Sequence, residues 1–472
     1  MKVTLVGVGP VAAESSPRRH ALAPSPRTLR LLDAPILPTL VRLAVPNIVL
    51  VVVQALSSAV DAFYLGRLGP AVLAGIALVF PVWMLMVTTS AGALGGGISS
   101  AVARALGAGR RDEANALVSH SLILSSGVAL AFSSIVLLGG PWLYRAMGGD
   151  GPALAPGLAY STVIFAGALF VWWVNALASL LRGSGEMLVP AVVIVGGELV
   201  HIGLAPALIF GLGPFAPLGV VGAAVSLITS YALRALVLAA FVFGRRAEVR
   251  LATGPLTLHS HLFRDILRVG LPGTINTVMT NLSVMVITSL VAPSGVLALA
   301  GYGLAARLEY LQIPLVFGFG TALVTLVGTN VGAGQIRRAR RAAWIGAGVA
   351  AAATGSVGML VALAPDAWLG LFTADRAVLA VGETYLRIVG PTYALFGLGL
   401  ALYFAAQGAG RLGPALLAGF ARLLVAVAGG WLVVNWLHAD LAWLFAAIAL
   451  AFVLFGMVQA LAVNHVIRGR TG

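Results

Sequence analysis

Three acidic side chains stand out because each lies within a long apolar stretch. They are Asp61, Glu198 and Glu309, three of the fifteen acidic residues in the chain. A charged carboxylate at the centre of a bilayer costs about 2.5–3.5 kcal/mol on insertion scales, and it persists where it faces a cavity or a partner. Protonation removes the charge, so an acid in such surroundings can bind and release a proton.

The neighbours of two of these acids indicate how their charge can be used. Gln54 precedes Asp61 by two helical turns, whereas His201 follows Glu198 by three residues and shares its helix face. Histidine titrates near physiological pH and can serve as a charged partner or a proton relay. Asp61, Glu198 and His201 are therefore candidate residues for cation or proton coupling. A capping aspartate and a packing histidine are the alternatives.

Five side chains are candidates for the wall of a substrate cavity: Gln54, Asn175, Met84, Trp172 and Glu309. Methionine suits a wall that adapts to several ligands, and an amide can orient a ligand. Each candidate also has a packing interpretation within the helix bundle. For Glu309 this interpretation is an ion pair with an arginine, such as the nearby Arg307.

Composition predicts the elements that must position these residues. The chain is 60% hydrophobic and 9% charged, with a mean hydropathy of +1.01, whereas a soluble protein has roughly a quarter of its residues charged. Continuous apolar runs long enough to cross a ~30 Å hydrocarbon core recur along the chain. We therefore predict an all-α polytopic membrane protein in a lipid bilayer. The absence of cysteine excludes disulfides and thiol chemistry.

Glycine, proline and arginine breaks divide the chain into twelve predicted transmembrane helices. They lie near 38–66, 71–98, 114–138, 157–180, 188–211, 218–243, 263–291, 297–327, 340–363, 382–406, 413–436 and 440–464.

Arginine is concentrated in alternate connections of this topology. One side carries Arg104, Arg110, Arg111, Arg182, Arg245, Arg246, Arg250, Arg337, Arg338, Arg340, Arg341, Arg411, Arg468 and Arg470, and the other carries only Arg67, Arg145 and Arg376. We call the first side the arginine-rich face. The positive-inside rule predicts that this face and both termini are cytoplasmic, in a bacterial inner membrane. The same bias accounts for the net charge of +14, and we expect no nucleic-acid partner.

The two halves of the chain resemble each other. LVRLAVPNIV at Leu40 matches ILRVGLPGTI at Ile266, a shift of 226 residues that pairs Pro46 with Pro272. LLRGSG at Leu180 matches AAQGAG at a shift of 225 residues. Because each half has an even number of spans, the sequence predicts two six-helix lobes related by a parallel internal repeat. Pro46 and Pro272 should each kink the first helix of a lobe.

Four regions follow from this organisation. We predict a disordered cytoplasmic tail over 1–36, which is rich in Pro, Ser and Arg, an N-terminal lobe over 37–243, a cytoplasmic linker over 244–262 and a C-terminal lobe over 263–467. We expect a monomer.

The matched segments resemble the multidrug and toxic compound extrusion (MATE) family. RLAVPNIVLVVVQALSSAVDAFYLGRLG, GGGISSAVARALGAG, LLRGSGEMLVP and GFGTALVTLVGTNVGAG carry the likeness. The resemblance implies an antiporter that exports small organic compounds, often cationic and amphipathic, by rocking between outward-open and inward-open states. It implies no bound cofactor, and the driving force is a transmembrane gradient of protons or sodium ions.

The resemblance also bears on single residues. Asp61 lies fifteen residues after Pro46, matching the proposed cation site of the DinF-like branch. In the fifth span His201 takes the family's Asn position and Ala205 its Asp position, so the second acid is missing. We predict that Glu198 and His201 replace it, which favours protons over sodium. The acid positions of another branch correspond to Thr280 and, approximately, Phe396, neither of which ionises.

Three other function classes are weaker. A lipid-precursor flippase of the same superfamily needs several cations in its cleft, and mid-membrane basic residues are few, chiefly Arg234 and Arg307. An intramembrane enzyme needs a catalytic motif, and HExxH, GxSxG and paired aspartates are absent from the sequence. A receptor-like sensor would carry a soluble signalling domain.

Overall fold

Long apolar helices account for most of the described part of the chain. The structure is a computed structural model, and it describes residues 25–149, 151–244, 247–251, 257–437 and 439–467. The helices of the first half are α1 (Pro26–Asp33), α2 (Ile36–Gly66), α3 (Pro70–Thr88), α4 (Gly95–Gly107), α5 (Arg111–Ala146), α6 (Leu154–Ala166), α7 (Ala168–Gly183), α8 (Leu188–Phe210) and α9 (Val220–Phe243). Those of the second half are α10 (Ser260–Val291), α11 (Val296–Gly332), α12 (Ile336–Leu363), α13 (Pro365–Leu369), α14 (Arg376–Val389), α15 (Tyr393–Gly408), α16 (Gly413–Leu424), α17 (Gly430–Asn435) and α18 (Leu441–Val466).

These helices confirm the predicted twelve spans. Eleven are helical segments long and apolar enough to cross a membrane, and the twelfth is the pair α6 and α7, which bends by 48°. The bend was not predicted. It falls at Gly167, where a Cβ atom would overlap the side chain of Ile228 on α9, so the glycine permits close packing of α9 at the break.

Two spans contain a wider helical turn. A π-helical segment, Thr89–Leu94, joins α3 to α4, and another, Val425–Gly429, joins α16 to α17. Such turns are rare and interrupt the regular hydrogen-bond ladder. Pro46 and Pro272 lie inside α2 and α10, which continue past them. The kinks expected at these prolines stay a prediction.

The repeat is visible in the outward faces of α2 and α10. Val52 is 55% exposed and its repeat mate Val278 is 49% exposed, while Leu56 and Leu282 are 62% and 45% exposed. The two halves thus present equivalent apolar stripes, as expected of two lobes built on one helical plan.

The expectation of a disordered tail over 1–36 is wrong for its last part. Pro26–Asp33 is helical, and the Ser25 side chain caps it by accepting a hydrogen bond from the Thr28 backbone N–H. Leu31 is 4% exposed because it packs into a hydrophobic cluster with C-terminal-lobe residues. Composition predicted disorder for this segment because composition does not report the tertiary contacts that order it. Residues 1–24 lie outside the described residues.

The lobes pack closely at the arginine-rich face. Gly107 and Gly332 lie so near the backbone of the opposite lobe that a Cβ atom at either would overlap it. Arg104 forms an ion pair of 2.7 Å with Asp265, and the Thr325 hydroxyl donates to the Arg182 carbonyl oxygen at 2.7 Å. These contacts close the cleft between the lobes at this face.

Candidate functional site

The predicted pair of intramembrane groups on α2 and α8 is in direct contact. His201 Nε2 lies 2.9 Å from Asp61 Oδ1 and 3.0 Å from Asp61 Oδ2. The Asp61 side chain is 30% exposed, whereas that of His201 is 2% exposed. The carboxyl group is therefore partly exposed on one side and bonded to a buried imidazole on the other.

Ser226 of α9 completes this chain of polar groups. Its Oγ atom lies 3.0 Å from His201 Nδ1, and its hydroxyl donates to the Ala223 carbonyl oxygen at 2.8 Å. A hydroxyl has one hydrogen. While that hydrogen is given to Ala223, Ser226 accepts from a protonated Nδ1, and when the hydroxyl turns it donates to an unprotonated Nδ1. The sequence missed Ser226 because a lone serine in an apolar helix has no distinguishing spacing.

The orientation of the Ser226 hydroxyl is linked to the protonation states of the pair. With Nδ1 protonated and Asp61 ionised, Nε2 also carries a proton, and the pair is a carboxylate with an imidazolium. If Asp61 is protonated, it donates to a neutral imidazole. Both states have zero net charge and retain the contact between α2 and α8. When Nδ1 loses its proton, the Ser226 hydroxyl can rotate and donate to Nδ1, so the hydrogen bond between them is kept. The pair then has a net charge of −1.

Glu198 belongs to a separate network, although it was predicted to act with His201. Its carboxylate accepts from Arg234 at 3.1 Å and from the Ser57 hydroxyl at 2.8 Å. The side chains of Arg234 and Glu198 are 1% and 8% exposed. Gly197 makes room for Arg234, because a Cβ atom there would overlap the guanidinium stem. We interpret Glu198 as half of a fixed buried ion pair, since its charge already has a partner.

The predicted cavity residues have different surroundings. Gln54 is partly buried on α2, Met84 is 38% exposed, and partly buried Asn175 donates to Ser90 Oγ at 2.8 Å. Trp172 requires correction. It is 1% exposed and lies in the hydrophobic core of the N-terminal lobe, because its helix face points into the bundle. It cannot line a cavity in this conformation.

Glu309 lies in the C-terminal lobe and accepts a hydrogen bond from the Tyr385 hydroxyl. Arg307, the nearby arginine considered as its partner, is exposed and lies over the Phe372 ring at 5.7 Å. Arg422 donates to Thr280 Oγ1 at 2.7 Å, so the residue at the family's seventh-span acid position serves as a neutral acceptor. The predicted cavity role of Glu309 stays a prediction.

The positions of the missing acids are packed with apolar groups. Ala205 is fully buried, and Phe396 is 4% exposed. Ala205 lies in a cluster with Leu65, Ile209 and Ala223. An added carboxylate at Ala205 would displace this packing. Among the described residues, no group of three His, Asp or Glu side chains is arranged to hold a metal ion.

A bundle of twelve spans in two repeated lobes, with a partly exposed acid in the membrane, defines a two-lobe membrane transporter. The MatE family model matches residues 46–207 and 272–432, one match in each half. The chain therefore belongs to the MatE family, the multidrug and toxic compound extrusion family.

Named relatives and a solved structure are similar along most of the chain. The probable multidrug resistance protein NorM of Thermotoga maritima is 26% identical over 82% of this chain and 83% of its own length. An FAD transporter of Shewanella oneidensis is 25% identical over 79% of this chain and 82% of its own length. The structure of a multidrug resistance MATE family transporter in an outward-facing conformation has a TM-score of 0.86 at 26% identity, covering 94% of this chain and 100% of that one.

Proposed function

We propose that the protein is a secondary antiporter that exports small organic compounds in exchange for protons by alternating access between its lobes. The relatives named as multidrug resistance proteins support the export of drugs and toxins. The proposal includes a monomer in a bacterial inner membrane with both termini in the cytoplasm. Cationic and amphipathic compounds are the expected substrates, because the Asp61–His201 pair has a net negative charge once it has lost a proton.

One observation carries the proton coupling, namely the contact between partly exposed Asp61 and buried His201. The exposed carboxyl group can exchange a proton with the side opposite the arginine-rich face. The imidazole stabilises the carboxylate by a charged hydrogen bond, which is worth about 1.5–3 kcal/mol. Adding or removing a proton therefore changes the energy of an α2–α8 contact, and a state-dependent contact is what couples an ion to a conformational change.

The proposed cycle uses the difference in the energy of the α2–α8 contact with and without the proton. An organic cation enters the cleft when it is open to the arginine-rich face, and the lobes then rock. In the state described here the lobes are closed at that face, and a proton from the opposite side binds the Asp61–His201 pair. The neutral pair no longer attracts the cation, which leaves. Return with a neutral pair avoids the cost of an ionised acid in a dry closed cleft.

A sodium-coupled cycle is the alternative, and the donor set at Asp61 argues against it. Hard cations are held by several oxygen ligands, whereas a ring nitrogen faces both carboxylate oxygens of Asp61. Imidazole nitrogen is a poor ligand for such an ion. The pair fits a proton better than it fits sodium.

The test is ethidium transport by the purified protein in vesicles with independently imposed proton and sodium gradients. We expect the proton gradient alone to drive transport, and Asp61→Asn to remove this response because an amide cannot exchange the proton. Glu383→Gln is the matched control, since Glu383 lies in the other lobe with a side chain 27% exposed. Transport driven by sodium alone contradicts proton coupling, and undiminished transport by Asp61→Asn removes that residue from the cycle.

A lipid-precursor flippase is less well supported. Arg234 is bound to Glu198, and Arg307 is exposed over Phe372. Arg234 is thus not free to hold a diphosphate, and Arg307 is a single exposed cation, whereas a diphosphate needs several. The relatives' names do differ in substrate, multidrug resistance for one and FAD transport for another, so the substrate class needs evidence from the chain itself.

A further inference from the structure

A small cavity lies between the two lobes where they close at the arginine-rich face. Its walls include Gly92, Ser99, Ser179, Arg182, Thr321 and Gln407. The cavity has a volume of about 10 Å³, which is space for about one water molecule. No larger ligand fits in this conformation.

Arg182 differs from the other buried arginines of the bundle. It is 5% exposed, yet its guanidinium group forms no hydrogen bond or ion pair with any described residue, and its Nε atom is buried without a partner. By contrast, Arg234 pairs with Glu198, Arg104 pairs with Asp265 and Arg422 donates to Thr280. An uncompensated buried charge is costly and marks a functional site.

Gln407 brings a second unpartnered polar atom to the cavity. It is the repeat mate of Arg182 in the segments LLRGSG and AAQGAG. Its Nε2 atom donates to the Gly92 carbonyl oxygen at 3.0 Å, whereas its buried Oε1 atom has no partner among the described residues. The cavity thus offers cationic donors from one lobe and an acceptor from the other. A water molecule satisfies both.

We propose that Arg182 binds the phosphate or carboxylate group of amphipathic substrates when the lobes separate at the arginine-rich face. Guanidinium groups bind such oxyanions through paired, charge-assisted hydrogen bonds. The inference rests on the proposed transport function and widens its substrate class to compounds with an acidic group.

The small volume of the closed cavity makes anion binding at Arg182 depend on the conformational state. When the lobes are apart at the arginine-rich face, Arg182 is accessible to an anion. When they close, space for only about one water molecule remains, so the anionic group is expelled. Binding that is tight in one state and sterically excluded in the other favours release on the opposite side. Export of the anion follows from this difference.

The test compares flavin mononucleotide with riboflavin, which lacks the phosphate, as inhibitors of proton-driven ethidium transport. Both are presented at the arginine-rich face. We expect flavin mononucleotide to inhibit the parent protein at lower concentration than riboflavin. Arg182→Gln, which copies Gln407, should raise the half-inhibiting concentration of flavin mononucleotide about 20-fold, a larger change than it causes in ethidium transport. Arg182→Lys should keep most of the preference for flavin mononucleotide over riboflavin. Arg42→Gln, at an exposed position, should leave this preference unchanged.

Two results overturn the anion site. One is equal inhibition of the parent protein by the two flavins. The other is an equal loss of ethidium transport and flavin mononucleotide inhibition in Arg182→Gln, because a residue that only packs the closed gate affects both. Fluorescence anisotropy of flavin mononucleotide with the purified protein measures the same preference without transport. If ethidium is not transported but the anisotropy preference depends on Arg182, the antiport proposal fails and the anion site stands.

Discussion

The two lobes share one helical plan but differ in where they place polar groups. At the shifts that relate the repeats, Asp61 corresponds to Ile287, which is 7% exposed, and His201 corresponds to Ala426, which is 3% exposed. The Asp61–His201 pair of the N-terminal lobe is thus replaced by two apolar side chains in the C-terminal lobe. The two halves share a duplicated scaffold, and the proposed proton exchange uses a pair of residues that only the N-terminal half carries at these positions.

Charge is also balanced differently in the two lobes. In the N-terminal lobe Gly197 gives space to Arg234, which pairs directly with Glu198. The repeat mate of Gly197 is Arg422, whose described hydrogen bond goes to the neutral Thr280. Glu309 is bonded to Tyr385 instead. The first lobe therefore holds a direct ion pair, whereas in the second lobe Arg422 and Glu309 are each hydrogen-bonded to a neutral hydroxyl group.

The largest expected effect is a loss of protein stability when the ion pair of the N-terminal lobe is broken. Arg234→Met leaves Glu198 as an unpaired buried carboxylate, so we expect the folded protein to lose about 3–5 kcal/mol. Arg422→Met should cost less, about 1.5–3 kcal/mol, because it breaks one hydrogen bond from a charged donor and leaves no carboxylate without its hydrogen-bond partner. Thermal unfolding in detergent measures both. The double variant Glu198→Met with Arg234→Met should recover most of the loss, and equal destabilisation by Arg234→Met and Arg422→Met would remove the contrast.

The next largest effect is expected on the coupling of proton movement to ethidium transport. His201→Ala copies Ala426 into the N-terminal lobe and deprives Asp61 of its buried partner. We expect proton-driven ethidium transport to fall about tenfold, in line with the loss of a hydrogen bond to a charged group. Ethidium bound at equilibrium, without a gradient, should change little. A variant that transports at the parent rate shows that the imidazole only packs against Asp61.

A smaller effect is expected from Ser226→Ala, which removes the hydroxyl that faces His201 Nδ1. The net value of such a hydrogen bond is about 1 kcal/mol, so we expect transport to fall about fivefold. Nitrogen NMR of the labelled imidazole should show a changed population of protonated Nδ1. Ser226→Thr keeps the hydroxyl and should restore both readouts. An unchanged spectrum in Ser226→Ala would show that the serine does not set the state of His201.

The smallest effect is expected from Asn175→Leu, which copies its repeat mate Leu400. The variant loses the bond to Ser90, a neutral interaction worth about 1 kcal/mol or less, and keeps an apolar wall. Transport of ethidium should stay within about threefold of the parent. A tenfold rise in the half-saturating ethidium concentration, with normal thermal unfolding, would instead place Asn175 in contact with substrate.

Much of this organisation was predictable from local patterns. Apolar length predicted the spans, and the predicted bounds agree with helices such as α8 (Leu188–Phe210) to within a residue or two. The break at Gly167 was missed because it depends on the approach of Ile228 from another helix. The order of Pro26–Asp33 was missed for a similar reason, since its stabilising contacts come from residues far along the chain.

The sequence by itself determined the membrane fold, the repeat and the rarity of intramembrane charge, because hydrophobic transfer and arginine bias act residue by residue. Only the tertiary structure decided which charges meet. Glu198 and His201 share a helix, yet one bonds to Arg234 and the other to Asp61. Pairing depends on which neighbouring helix each side chain faces, and helix packing between distant segments sets that.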